Sequence, residues 1–265
     1  MLAQEKMEGL ALEVDSLTVG YEGQSVLGPL SFNLPQGGSL AVIGESGCGK
    51  STLLTTLAGL HPALGGTVLW RDREETVSLE EHRTSFVWQR LGLFPWKRVK
   101  ENLLLPLKLH PEICPVEERE SRIAQMVSHL GLTGLESRFP AQLSGGQSQR
   151  LALGRSLIFH PEVLFMDEPF SALDALLRER LQDHLAQLRR THSGTIVFVT
   201  HDIREAVFLG SHILMLFPKS YGKAPQFFAN PAFSFAHGAA DRDTALFDET
   251  VRQVHHDLMT SGGTK

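Results

Sequence analysis

The sequence predicts an α/β fold with a mainly parallel central sheet, an antiparallel β subdomain before it and a helical insertion within it. Three observations carry this expectation. Ser39-Leu40-Ala41-Val42-Ile43 is a continuous apolar run that ends at a glycine-rich turn and gives way to helical text from Ser51 to Gly59. Two further runs, Glu162 to Met166 and Thr195 to Thr200, flank an amphipathic helix carrying Leu177, Leu181, Leu185 and Leu188. Apolar runs alternating with amphipathic helices are the pattern of parallel strands covered on both faces.

From Leu10 to Phe32 the text differs. Leu12-Glu13-Val14 and Ser31-Phe32-Asn33-Leu34 alternate apolar and polar residues between Gly20, Gly23, Gly28 and Pro35, as antiparallel strands do. Between Leu91 and Arg150, prolines 95, 106, 111 and 115 break the pattern into pieces. Val116 to Leu130 reads as a helix with Ile123, Met126, Val127 and Leu130 on one face, so a helical insertion is expected over about residues 90–150. After Phe217 comes aromatic and proline-rich text, then a helix expected over 241–259 with Phe247, Val251, Val254 and Leu258 on a face that docks on something. The expected organisation is a principal domain over 1–217 and a C-terminal tail over 218–265.

Composition narrows the class. The chain has 265 residues, 42% hydrophobic and 21% charged, enough to bury a core, and a net charge of −5 argues against nucleic acid as a partner. Cys48 and Cys114 are too few for a disulfide framework, which points to a reducing compartment. Met1 to Asp15 carries Glu5, Glu8, Glu13 and Asp15 and lacks the basic start and apolar run of a secretory signal. No stretch approaches the roughly 18 to 20 apolar residues of a membrane span, so the chain is expected to be neither exported nor integral.

Gly44-Glu45-Ser46-Gly47-Cys48-Gly49-Lys50-Ser51 satisfies G-x-x-x-x-G-K-[ST] between a buried strand and a helix. Such a loop turns successive backbone N–H groups toward a β-phosphate, while Lys50 reaches the β and γ oxygens and Ser51 offers a hydroxyl to Mg²⁺. Thr52 extends the start of the helix. Val163-Leu164-Phe165-Met166-Asp167-Glu168 ends an apolar strand in two carboxylates, where ligands of open α/β sheets bind. Helix capping or surface charge would account for those acids alone; beside a phosphate loop, Asp167 would hold Mg²⁺ through water and Glu168 would polarise an attacking water. Nucleotide hydrolases and kinases both remain open at this point.

Leu143-Ser144-Gly145-Gly146-Gln147 precedes Asp167 by 20 residues and is followed by Ser148-Gln149-Arg150. A serine hydroxyl and glycine N–H groups at a helix N-terminus make a site for a γ-phosphate, although by itself such a peptide is also a helix cap. With the preceding motifs it closely resembles the signature of the ABC ATPases, over roughly Leu10 to Phe217. The resemblance implies a RecA-like P-loop NTPase core and ATP with Mg²⁺ as ligands. It implies that Tyr21 stacks on adenine, unless it is an ordinary strand tyrosine, and that Gln89 joins Mg²⁺ and water to the helical insertion. It also assigns Ser171-Ala172-Leu173-Asp174, with Asp174 as its fixed acid, to the loop by which two ATP sites sense each other, and His201 to the switch that holds Glu168, water and γ-phosphate together. The other eleven histidines, including His255-His256, have no acid or cysteine spacing suited to a metal. Ser148 stands where many members carry a basic residue, which puts a minor contact to nucleotide across the dimer in doubt. Cys48, near Lys50 and bound phosphate, is expected to make ATP binding sensitive to thiol reagents.

The resemblance further implies a head-to-tail dimer, with each ATP held between the phosphate loop of one copy and Ser144, Gly145, Gly146 and Gln147 of the other. It implies an integral membrane permease docked on the insertion after Gln89, a separate solute-binding protein, and a peripheral place at the cytoplasmic face of the membrane. Leu91-Gly92-Leu93-Phe94-Pro95-Trp96, followed by Val99-Lys100-Glu101-Asn102, looks like the corresponding segment of bacterial importer ATPases for nitrate, sulfonates and taurine; a buried aromatic cluster would give the same text. An exporter ATPase, a soluble ABC ATPase and a small-molecule kinase are the alternatives. The kinase leaves Leu143 to Gln147 and His201 without a role.

Overall fold

A computed structural model describes residues 10–191 and 194–260, without the side chains of residues 188, 190, 191 and 219. Glu5, Glu8 and the Leu188 side chain therefore lie outside the described residues.

The chain opens with strands β1 (Ala11–Tyr21) and β2 (Gln24–Leu34), which pair antiparallel. Next come β3 (Ser39–Gly44), α1 (Lys50–Leu57), β4 (Gly65–Asp72), β5 (Glu75–Val77) and β6 (Thr84–Val87). The insertion supplies α2 (Val99–Leu109), α3 (Val116–His129) and α4 (Gly145–Leu157). After it run β7 (Val163–Asp167), α5 (Ala175–Thr191), β8 (Thr195–Val199), α6 (Ile203–Leu209) and β9 (His212–Leu216). The tail contributes β10 (Gln226–Ala229), the short β11 (Phe233–Ser234) and β12 (Ala239–Ala240), and α7 (Ala245–Met259).

Two sheets carry the architecture. One is antiparallel, in the order β2-β1-β4-β5; the other has the order β10-β9-β3-β8-β7-β6 and is parallel except for β10. The period of two in the central strands sorts the core into layers. Ala41, Ile43, Leu164, Met166, Ile196 and Phe198 face the helices of the insertion and tail, and Leu40, Val42, Val163, Phe165, Val197 and Val199 face α1 and the antiparallel sheet. Because both faces are covered, these strands show none of the polar alternation seen in β1 and β2. No helix among the described residues is long and apolar enough to cross a membrane.

The structure departs from the sequence reading in three places. Pro106 does not break the insertion but lies inside α2; the helix continues past it, with the His110 N–H donating to the Pro106 carbonyl at 3.0 Å. Helix α7 starts at Ala245 rather than 241, because Asp241 accepts from the Asp243 N–H in a turn and Thr244 caps the helix through the Phe247 N–H. The segment after Phe217 also returns to the sheet: β10 pairs with β9, and Phe247 and Val254 are fully buried.

Two buried polar side chains fasten that return. Asn230 donates to the carbonyls of Val207 and Gly210, both at 2.7 Å. Arg189 donates to the carbonyls of Gly37, Leu209 and Gly238 and to the Ser39 hydroxyl, and burial pulls its guanidinium down to about 10. Both lie at the starts of the strands, away from the phosphate loop.

Candidate nucleotide site

The phosphate loop follows β3 in the middle of the parallel sheet. Gly44 has φ +153°, and a Cβ there would meet the Leu216 carbonyl at 2.4 Å, so no larger residue fits the end of this strand. Gly47 has φ +82° with open space around it. Gly49 precedes α1 without a side-chain cap, and the first turn of α1 has no acid. No cap and no first-turn carboxylate therefore competes for the first N–H groups of α1, which carry the positive end of the helix dipole, as an anion site requires.

Lys50 is buried and folded back on the loop, its Nζ donating to the carbonyls of Gly44 at 2.8 Å and Glu45 at 2.7 Å. The exposed Ser51 hydroxyl lies close enough to the carboxylate of Asp167, at the end of β7, to favour its charged form. Burial pushes the Asp167 carboxyl above its ordinary value; Ser51 and Lys50 oppose this, and the neighbouring Glu168 adds to it. No cluster of three or more His, Cys, Asp or Glu suited to a metal exists among the described residues. Ser51 and Asp167 nevertheless put two hard oxygen donors side by side at the loop, which fits a cation that takes its other ligands from phosphate and water.

Glu168 is strained. Its φ is +50°, in the left-handed region that residues other than glycine rarely enter. Its N–H donates to the Val199 carbonyl at 3.0 Å, and its own carbonyl accepts from the Ser171 hydroxyl at 3.1 Å and from Gln149 Nε2 at 3.2 Å. The carboxylate is thereby set 3.8 Å from His201 Nδ1, and the His201 ring is largely exposed beside it. Gln89 is exposed in the turn after β6, two residues beyond Val87, which pairs with Met166 of β7.

Tyr21, at the end of β1, is 52% exposed. Its hydroxyl accepts from Thr52 Oγ1 at 3.3 Å, and its ring lies 4.6 Å from that of His61. Asp174 Oδ1 accepts from the Leu177 N–H at 3.1 Å and so caps α5. Cys48, in contrast to the sequence expectation, is not poised to react: it is 5% exposed, and burial pushes its thiol up despite Lys50 nearby. The reactive thiolate is therefore scarce, and alkylation waits on opening of the loop.

The signature is held away from these groups. Ser144 caps α4 reciprocally, its hydroxyl accepting from the Gln147 N–H at 3.3 Å while Gln147 Oε1 accepts from the Ser144 N–H at 2.9 Å. Ser144 and Gly145 are exposed and Gly146 and Gln147 half-buried. Helix α4 packs on β6, which is three strands from β3 in the sheet order. At about 4.8 Å per strand that separation is roughly 14 Å, beyond the reach of a serine. The chain thus brings together Lys50, Ser51, Asp167, Glu168 and His201, and leaves the signature apart from them with Ser144 and Gly145 facing solvent.

Two residues of this region escape motif reading. Gln149 is buried in α4 and clamps the acidic loop from both sides, donating to the Glu168 carbonyl and accepting from the Ala172 N–H at 2.9 Å. Its signal in the sequence is a polar residue on the buried face of a helix. Arg178 gives no signal at all: it lies on the polar side of α5, and only the fold sets it against Asp202, at 3.1 Å.

A buried strand, a phosphate loop at a helix N-terminus and paired carboxylates at the end of a strand two places away in the same sheet define a nucleotide-binding protein of the P-loop class. The family model described as ABC transporter matches residues 27–171. The chain belongs to that family and is its ATP-binding, ATP-hydrolysing component. It is 38% identical over 215 residues to aliphatic sulfonates import ATP-binding protein SsuB 2 of Agrobacterium fabrum, covering 81% of this chain and 79% of that one. It is 36% identical over 254 residues to aliphatic sulfonates import ATP-binding protein SsuB of Cupriavidus necator, covering 95% and 81%. Among solved structures, a dimeric ATP-binding cassette in a post-hydrolysis state, bound to ADP and Pi, superposes with a TM-score of 0.71 at 27% identity, covering 84% of this chain and all of that one.

Proposed function

We propose that the chain is the motor of a bacterial importer for a small solute, an aliphatic sulfonate first and nitrate or taurine next, working as a head-to-tail dimer at the cytoplasmic face of the membrane. The observation that carries the dimer is the exposed Ser144 cap, three strands from the phosphate loop. One chain holds half of each site, and Ser144, Gly145, Gly146 and Gln147 meet the γ-phosphate bound to a second copy. The names of the sulfonate-import relatives support the solute class.

Ser51, Asp167 and Gln89 would hold Mg²⁺, which when bound would supply positive charge against the phosphate oxygens. Lys50 exchanges its two carbonyl partners for the β and γ oxygens. Glu168 orients the attacking water and takes its proton; His201 holds the γ-phosphate beside it. Tyr21 stacks on adenine, with Thr52 bonding its hydroxyl.

A closing dimer does work only on something attached, because a ligand shifts a conformational equilibrium by its differential affinity for the two states. The permease docks on the insertion, which displays Trp96, Leu109 and Val116 to solvent, and a separate solute-binding protein delivers the solute. Glu168→Gln tests the reading. It should slow phosphate release by about 100-fold or more and give an ATP-dependent dimer by light scattering. A chain that stays monomeric at saturating ATP and phosphorylates a small molecule would establish the kinase instead. Captured from membranes with ATP, the same variant should bring down a multi-span protein; soluble partners alone would point to an ABC ATPase outside transport.

A further inference from the structure

The loop from Ser171 to Asp174 and the loop around His201 come from different elements, after β7 and after β8, and a single side chain spans them. Arg178, in the first turn of α5, donates from Nη2 to the Leu173 carbonyl at 3.2 Å and from Nη1 to Asp202 Oδ2 at 3.1 Å. Its Nε stands 3.6 Å from Glu205 Oε1. A guanidinium is a rigid planar fork, so its donors keep their separation when the partners on one side move.

The far end of the fork is equally fixed. Asp202 Oδ1 caps α6, accepting from the N–H groups of Arg204 at 2.8 Å and Glu205 at 3.3 Å. The Asp202 N–H donates to Thr200 Oγ1 at 3.0 Å, and Thr200 donates to Glu205 at 2.6 Å. His201 lies between Thr200 and Asp202 with little freedom of its own backbone. At the near end, Ser171 bonds the carbonyl of the strained Glu168. A cavity of about 10 Å³ between Glu168, Ser171, Thr200 and His201 is also lined by Arg178.

We propose that Arg178 is a positioning residue that couples the Ser171–Asp174 loop to His201, so that contact of a second copy with the first loop sets the alignment of the switch histidine with Glu168. The proposal rests on the head-to-tail dimer. It makes hydrolysis, rather than nucleotide binding, depend on Arg178, and it makes Asp202 the other half of the same device. Coupling through one link also predicts that cutting it at either end, or at both, has the same consequence.

The test compares Arg178→Met, Asp202→Asn and the double variant in ATP hydrolysis by the full chain. Asn at 202 keeps an oxygen for the α6 cap while losing the charge that pairs with Arg178. Each single variant should lower kcat about tenfold with KM within about twofold, and bring the Hill coefficient for ATP down to 1 from a parent value above 1. The double variant should be no worse than either single one. Binding of a fluorescent ATP analogue should stay within about twofold, as for the parent chain. Should Arg178→Met fail to fold, Asp202→Asn alone decides, by the same split of kcat from KM. Unchanged kcat and cooperativity, additive losses, or losses confined to KM would overturn the proposal. Failure of Glu168→Gln itself to dimerise with ATP would overturn the dimer on which it rests, and the proposal with it.

Discussion

Single residues around the phosphate loop are held under tension. Lys50 must satisfy itself on two carbonyls, Asp167 is buried beside a second acid, and Glu168 occupies a backbone region that other residues avoid. Such groups persist because the surrounding contacts over-determine them. Glu205 shows the same tension one shell further out. Burial raises its carboxyl above the ordinary value; the Thr200 bond opposes this, Asp202 adds to it, and Arg178 and His201 oppose it. A raised folded value means that the fold favours the protonated acid. Its stabilising contribution is complete below the unfolded value and is lost as pH rises through the folded one. Glu205→Gln, which keeps an acceptor for Thr200, should therefore raise Tm at pH 7.5, and the gain should shrink to nothing as pH falls below the ordinary carboxylate range. A gain that persisted in acid would assign the effect to packing.

At the scale of elements, the segment between β6 and α2 shows how a surface loop is held in one shape. Asn102, fully buried, accepts from the Phe94 N–H at 3.0 Å and donates to the carbonyls of Phe94, Lys97 and Arg98. Arg155 of α4 donates to the Gly92 carbonyl at 2.7 Å and lies over the Phe94 ring. Trp96 is left 69% exposed, packed edge-on against Phe94. The two residues should then separate in their effects. Trp96→Ala should change stability by no more than about 0.5 kcal/mol, as exposed substitutions do, while abolishing recovery of the membrane partner. Asn102→Ala strands several buried groups and should cost about 2 kcal/mol or more. Thermal melts alongside membrane capture check both; normal capture by Trp96→Ala would remove the tryptophan from the docking surface.

For the whole molecule, the decisive geometry is the sheet order. Strands β3 and β6 are the third and sixth in it, and the phosphate loop follows one while the signature helix packs on the other. If two copies complete each other's sites, ATPase activity per chain should rise with chain concentration at saturating ATP and level off once dimers dominate. Measured over a hundredfold dilution, a flat activity per chain would place a complete site in one copy.

Much of this protein is legible in its residues taken alone. The runs at Ser39–Ile43, Val163–Asp167 and Thr195–Val199 could be read as buried strands because a strand covered on both faces tolerates few polar side chains, and the glycine–lysine–serine spacing is dictated by the shape of a phosphate. Helix α2 and strands β4 to β6 were illegible: Pro106 reads as a break, and short half-exposed strands carry little periodicity. The tail could be read as a docking helix but not as part of the main sheet, since β10 gains its meaning only from the open edge of β9. Tertiary structure alone decided which distant side chains meet. The clamp of Gln149 on Glu168, the fork of Arg178 on Asp202 and the separation of Ser144 from Lys50 are set by strand order and helix packing, and local sequence carries no trace of pairings made across the fold.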